Sequence, residues 1–276
     1  MLIDSHAHLD SERYAEDRAA MLARAWEAGV GTVLAIGIGE GPQQMHQALD
    51  ICRQFNGQPG IPRLYASAGI YPHNTPEADD AALARLDSLL AEPEVIACGE
   101  IGLDYYHEGA PHTVQRACLT RQLEIAAARK RPILIHCRPG DGEGNDTWDD
   151  LFPILEEHWR PTGLGGVMHC FSGSWEQARR SLDMGFLCSF AGNLTFPKAQ
   201  PLRDVAARLP LDGVLVETDA PWLAPAPFRG KRNEPAWVAR TAQTLAGLLA
   251  VEEEEIASAT TKSFFRLFRL RADVGN

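Results

Sequence analysis

Leu2-Ile3-Asp4-Ser5-His6-Ala7-His8 reads as a short apolar strand that ends in a pair of histidines. Side chains two residues apart along a strand share a face, so His6 and His8 point the same way near its C-terminal end. Further runs have the same character: Thr32–Ile38, Leu64–Tyr71, Val95–Asp104, Ile133–Arg138, Gly166–Phe171, Phe186–Ala191 and Val214–Asp219. Amphipathic stretches of helical period separate them, among them Ala15–Ala28, Asp80–Leu90, Val114–Ala128 and Glu176–Met184. Strands that alternate with helices pair in parallel through right-handed crossovers. Eight such units close into an α/β fold of the (β/α)8 TIM-type barrel kind, and a seven-stranded or distorted barrel would give the same pattern.

Bulk composition agrees with that architecture. The 276 residues, 45% of them hydrophobic, suit one barrel domain over 1–276 with a sizeable core. No apolar stretch approaches the roughly 20 residues of a spanning helix, and the N-terminal residues lack the basic and apolar regions of a secretion signal. A cytoplasmic protein with no membrane partner is therefore expected, taken as a monomer. Cysteines at 52, 98, 118, 137, 170 and 188 form neither a Cys-x-x-Cys pair nor a disulfide framework, and read as reduced thiols. A net charge of −11 argues against a broad basic surface for gripping long nucleic acid. Bound metal would still supply local positive charge that this count omits.

Two segments read as long loops after strands: 139–147 (PGDGEGNDT) and 221–235 (PWLAPAPFRGKRNEP). Both follow the C-terminal ends of strands, where barrels place their chemistry. The acidic run Glu252–Glu255 reads as the solvated start of the last helix, where negative charge suits the dipole.

His6 and His8 gain meaning from what recurs at matching places. Glu100 lies late in the fourth run, His136 late in the fifth and His169 late in the sixth, while Asp219 closes the eighth. Ionisable groups inside apolar strands are costly unless paired or bound to metal, so this set reads as ligands and not as isolated core histidines. Four imidazoles and two carboxylates exceed the needs of one four-coordinate ion. Two divalent ions bridged by Glu100 use them economically, with His6, His8 and Asp219 on one ion and His136 and His169 on the other. Such a pair favours hydrolysis, because it holds a hydroxide and stabilises developing negative charge. If the strands stay regular, Cys137 and Cys170 point outward as packing residues, and Cys98 shares the face of Glu100 one layer deeper.

The stretches IDSHAHLD (3–10), GIYPH (69–73), GEIGLDYY (99–106), PILIHCR (132–138), HCFSG (169–173), NLTF (193–196), VETDAPWLAP (216–225) and RGKRNEP (229–235) span the chain. In them the sequence resembles the TatD family of metal-dependent deoxyribonucleases. The resemblance implies a TIM-type barrel and a divalent-metal phosphodiesterase that removes nucleotides from the 3′ ends of DNA. It places His6, His8, Glu100, His136, His169 and Asp219 on two divalent metal ions, Mg²⁺, Mn²⁺ or Zn²⁺. It also implies that His73 is an additional active-site histidine and that Arg138 lies near the substrate phosphate. The loop 139–147 is longer than the family's usual short turn, which bears on substrate preference.

The expected activity is thus a 3′–5′ exodeoxyribonuclease acting on DNA ends or oligonucleotides. Its bridging hydroxide attacks phosphorus while Asp219 orients or deprotonates it, and Glu100, Asp219 and His73 are the catalytic candidates. His73 and Arg138 are candidates for substrate binding; the plainer alternatives are a loop-capping histidine and a charge-balancing arginine. The alternative enzyme is a metal-dependent carbonyl hydrolase, such as an aminoacyl-tRNA deacylase or amidohydrolase. Many amidohydrolase barrels bridge their metals with a carboxylated lysine on the fourth strand; Glu100 stands there instead, which favours phosphoester chemistry. A non-catalytic metal-binding scaffold finds no support, since every ligand position is filled. Among secondary candidates, Asp104 and Tyr105 line the site or shape a turn, and Glu217 orients a ligand. His46, His107, His112 and His158 read as surface residues, and Trp222, Phe228 and Arg232 either contact nucleotides or pack a Pro-rich lid.

Overall fold

The apolar runs become strands of one parallel sheet in a computed structural model that describes residues 1–141 and 146–271. They are β1 (Leu2–Ala7), β2 (Val30–Ala35), β3 (Arg63–Ala68), β4 (Val95–Asp104), β5 (Ile133–Arg138), β6 (Gly166–Met168), β7 (Phe186–Phe190) and β8 (Val214–Val216), hydrogen-bonded in that order. Helices α1 (Arg18–Glu27), α2 (Gln47–Phe55), α3 (Asp80–Leu90), α4 (His112–Arg129), α5 (Thr147–His158), α6 (Trp175–Asp183), α7 (Gln200–Ala206) and α8 (Val238–Leu249) fill the connections and follow the last strand, and α9 (Glu253–Leu267) comes after them. The polar residues before several of these helices do what their chemistry allows. Asp79 accepts from the Ala82 N–H, and Ser174 with Gln177 forms a capping box at α6.

Two apolar layers result. Helix residues such as Met21, Leu49, Leu86, Leu119 and Leu155 pack with outward-facing strand residues such as Val33, Ala66 and Ile135. Inside the barrel, Ile3, Leu34, Leu134, Val167, Leu187 and Leu215 meet Phe264 and Phe268 of α9. Ile3, Leu134 and Leu187 are each second in their strands, so α9 closes the N-terminal mouth of the barrel. The acidic residues Glu253–Glu255 form the first turn of α9, as the dipole argument expects.

β6 and β8 end earlier than the sequence suggests, because Cys170 (φ 44°) and Asp219 (φ 54°) turn the backbone into the left-handed region. The seam between β8 and β1 is consequently closed by other means. The Asp219 N–H donates to the His6 carbonyl at 2.9 Å and the His8 N–H to the Ala220 carbonyl at 2.8 Å. The buried carboxylate of Asp4 accepts from the Thr218 N–H at 2.9 Å and pairs with its hydroxyl at 2.6 Å. Burial pushes the Asp4 carboxyl up to about 8. An Asp4→Ala protein should lose about 1–3 kcal/mol of stability, since Thr218 would keep a buried donor without a partner. Urea midpoints measure this, and an unchanged midpoint would mean that the seam does not depend on Asp4.

Side-chain direction at two strands departs from simple alternation. Asp4 pairs with Val33 and Ala7 with Ala35, so three steps along β1 oppose two along β2. Cys98 pairs with Ile133 and Ile101 with Ile135, the same mismatch between β4 and β5. Each is a bulge that shifts the alternation by one residue. Hence Ser5, bonded to Ser189, and His6 both face inward. Cys98 does not share the face of Glu100; it packs in the helix-facing layer near Cys118 of α4. No helix of the described residues is long and apolar enough to cross a membrane.

Candidate metal centre

At the C-terminal rim the buried carboxylate of Glu100 stands between two groups of side chains. Its Oε2 lies 3.3 Å from His6 Nε2 and 3.7 Å from His8 Nε2. Asp219 Oδ1 completes that group, 3.4 Å from His8 Nε2 and 3.9 Å from His6 Nε2, and the two imidazole nitrogens are 3.3 Å apart. The other oxygen, Oε1, lies 2.7 Å from His136 Nδ1 and 2.9 Å from His169 Nε2. The bulge in β4 is what aims Glu100 between the two groups. Gly102 on the same strand permits the close approach of β5 that sets His136, for a Cβ there would meet the His136 carbonyl oxygen at 2.0 Å.

Hydrogen bonds from behind orient these candidate ligands. Glu217 Oε1 faces His169 Nδ1 at 3.2 Å and accepts from the Cys170 N–H at 2.6 Å. Asp104 Oδ2 lies 3.2 Å from His136 Nε2, and the Tyr71 hydroxyl is 3.3 Å from that same nitrogen. Carboxylates behind ligating imidazoles fix the ring and raise its basicity. Replacing Glu217 with Ala should therefore weaken metal binding by about 10–100-fold. Competition with a chelator of known affinity tests this; unchanged affinity would remove Glu217 from the site's support.

The electrostatics are those of a compensated buried cluster. Burial disfavours the charge of Glu100, yet His169, His136 and His6 together hold it well below the usual carboxylate range. Burial likewise opposes the charge of His169, but Glu100 and Glu217 raise its affinity for a proton. The donor chemistry fits divalent ions. A tetrahedral ion with bonds of about 2.0–2.1 Å needs ligand atoms about 3.3 Å apart. The separations of 3.3–3.9 Å from His6 and His8 to each other, to Glu100 and to Asp219 approach that spacing, and Glu100 offers its second oxygen to His136 and His169.

Other expectations fare differently. Cys137 packs outward against the Thr147 hydroxyl, whereas Cys170 leaves strand geometry and sits beside Glu217. Burial, with Asp219 and Glu217 nearby, drives the Cys170 thiol far up, which suits an inert group. His107 is not a plain surface residue: its Nδ1 reaches Asp104 Oδ2 at 2.9 Å. Asp104 is buried and faces the site, while Tyr105 bonds Asp150 and stacks on His112. His46 immediately precedes α2 and His158 ends α5, and neither belongs to a group of possible metal ligands among the described residues. His73 stands at the rim beside Asp104, and the exposed Arg138 lies over the Tyr106 ring. Phe228 stacks on Trp237 and Arg232 pairs with Asp17, so both pack the last loop; Trp222 stays exposed, edge-on to His8. Tyr71, at the end of a predicted strand, joins the site through its hydroxyl, a role that its position alone does not announce. Of the loop 139–147, residues 142–145 lie outside the described residues.

The family model described as TatD related DNase matches residues 3–269. The chain belongs to the TatD family. Like its relatives, this TatD-family chain is a metal-dependent hydrolase. It is 36% identical over 270 residues to YabD of Bacillus subtilis (strain 168), named an uncharacterized metal-dependent hydrolase, covering 98% of this chain and 100% of that one. It is 32% identical to a protein of Erwinia billingiae (strain Eb661) named 3′-5′ ssDNA/RNA exonuclease TatD, covering 98% and 100%. The crystal structure of YjjV, a TatD homolog from Escherichia coli K12, superposes with a TM-score of 0.87 at 32% identity and 98% coverage of both chains.

Proposed function

We propose that this TatD-family hydrolase is a phosphodiesterase that removes nucleotides from the 3′ ends of DNA, using two divalent ions. The observation that carries this reading is Glu100, whose two oxygens face separate sets of ligand atoms. Two ions held a few ångströms apart clamp both sides of a phosphoryl displacement. The name of the Erwinia relative supports a nucleic-acid substrate. The net charge of −11 favours strand ends and short single strands over long duplexes.

His6, His8, Asp219 and Glu100 would hold one ion, and Glu100, His136 and His169 the other. When bound, the ions acidify water and neutralise charge developing on the phosphate. The remaining work belongs to the chain. Asp219, on the solvent side of its group with 15% of its side chain exposed, orients the attacking water and accepts its proton. Arg138 offers its planar fork to the phosphate oxygens, and His73 stands beside Asp104 at the rim. The exposed ring of Trp222 gives a terminal base a surface to stack on.

Digestion of 3′- and 5′-labelled DNA oligonucleotides by protein loaded with Mg²⁺, Mn²⁺ or Zn²⁺ tests the proposal. Stepwise shortening from the 3′ end is expected. Release of no nucleotide with any of these ions sinks it, and faster turnover of aminoacyl-tRNA or amide substrates would hand the site to carbonyl chemistry.

A further inference from the structure

A second cluster of imidazoles lies beside the Glu100 centre and shares none of the six residues assigned to it. Its hub is Asp104, buried at the end of β4. One carboxylate oxygen, Oδ1, is committed to the backbone, accepting from the N–H groups of Tyr106 and His107 at 3.0 Å each. The other, Oδ2, faces His107 Nδ1 at 2.9 Å, His136 Nε2 at 3.2 Å and His73 Nε2 at 3.4 Å, and accepts from the Tyr71 hydroxyl at 3.4 Å. A carboxylate oxygen has two lone pairs. One serves the N–H of His136, whose other ring nitrogen points at Glu100. The second lone pair is contested by His107, His73 and the Tyr71 hydroxyl, more partners than it can serve.

Hydrogen bonding alone accounts poorly for His73. Its Nε2 is buried and within 3.4 Å of the carboxylate, yet it makes no hydrogen bond among the described residues. A nitrogen that sits near an anionic oxygen without aiming a proton at it has the placement of a fellow ligand. The spacing agrees: His–Asp separations of 2.9 and 3.4 Å bracket the roughly 3.3 Å of ligand atoms around one tetrahedral ion. The cluster also opens outward, with 48% of the His107 side chain and 30% of the His73 side chain exposed. Three protein ligands with a solvent-facing side is how a protein holds an ion that keeps positions free.

We propose that His73, Asp104 and His107 form a third cation site, separate from the two that share Glu100. Two imidazoles and one carboxylate favour divalent ions of the zinc class over Mg²⁺, which prefers all-oxygen surroundings. The proposal rests on the metal-dependent reading of the centre and is indifferent to the substrate.

Metal content separates this site from its neighbours without any activity assay. After equilibrium dialysis of the full chain against Zn²⁺, the wild type should retain one more zinc per chain than His107→Ala or His73→Ala. His107 is exposed, so its replacement leaves the fold intact. Glu100→Gln should lose zinc from the shared sites and keep the one that His107→Ala removes. Dialysis against Mg²⁺ alone should leave wild type and His107→Ala equal. Equal zinc in wild type and both histidine variants overturns the site, as does a Glu100→Gln protein in which His107→Ala removes nothing further. A Mg²⁺ difference as large as the zinc one overturns the assigned ion class. Failure of the phosphodiesterase reading would show in oligonucleotide digestion and leave these contents unchanged.

Discussion

A Glu100→Gln protein should lose hydrolytic activity by at least about 10³-fold and hold neither of the two ions assigned to its carboxylate. The side chain is isosteric, so the barrel keeps its packing, but one oxygen becomes an amide nitrogen. Glutamine then offers an acceptor to one ligand set and a donor to the other. Loss of one preorganised electrostatic group costs about 10²–10³ in rate, and here the same change weakens two sets of ligands together. The uncompensated imidazoles add to the effect, because His6, His136 and His169 surround a charge that is no longer present. Activity on labelled oligonucleotides and metal analysis of the purified protein check both halves. Retention of both ions with only a mild loss of rate would remove Glu100 from its bridging role.

The largest stability effect should come from the opposite end of the barrel. Phe264 is fully buried, in contact with the interior layer formed by residues such as Ile3, Leu134 and Leu215. Phe264→Ala removes the aromatic ring where α9 covers the barrel mouth, and such truncations cost about 3–5 kcal/mol. The denaturant midpoint should fall accordingly, while folded protein keeps its full metal content, since the ligands lie at the other rim. A midpoint within error of wild type would mean that α9 does not seal the interior. Loss of metal from the folded variant would instead mean that the two ends of the barrel are coupled.

The fold and the six candidate ligands were legible because they rest on residue type and order. Histidines and carboxylates late in otherwise apolar strands cannot be hidden by small errors in strand boundaries. What escaped was direction and local turning. Simple alternation put Cys98 on the face of Glu100, and the bulge in β4 moved it to the helix-facing layer. A one-residue bulge leaves little mark on composition; Gly99 and Gly102 beside Glu100 were its only trace. Cys170 was assigned an outward strand position, but the backbone turns left-handed there and brings it next to Glu217. His107 looked like a solvated loop residue because nothing in a linear reading tells that the loop folds back over Asp104.

The seam between β8 and β1 has a consequence for when the site can exist. His6 and His8 emerge first during synthesis, while Asp219 and the Thr218 that grips Asp4 come more than 200 residues later. A nascent chain that has released only its early strands holds half of each contact and can assemble neither ligand set in full. Affinity for the ion assigned to His6, His8, Glu100 and Asp219 would therefore report that the ring has been closed by its last strand, and an ion captured there by the finished protein would act as a latch on that closure. Chelation should then loosen first and last strands together, even though the residues involved stand at opposite ends of the polypeptide.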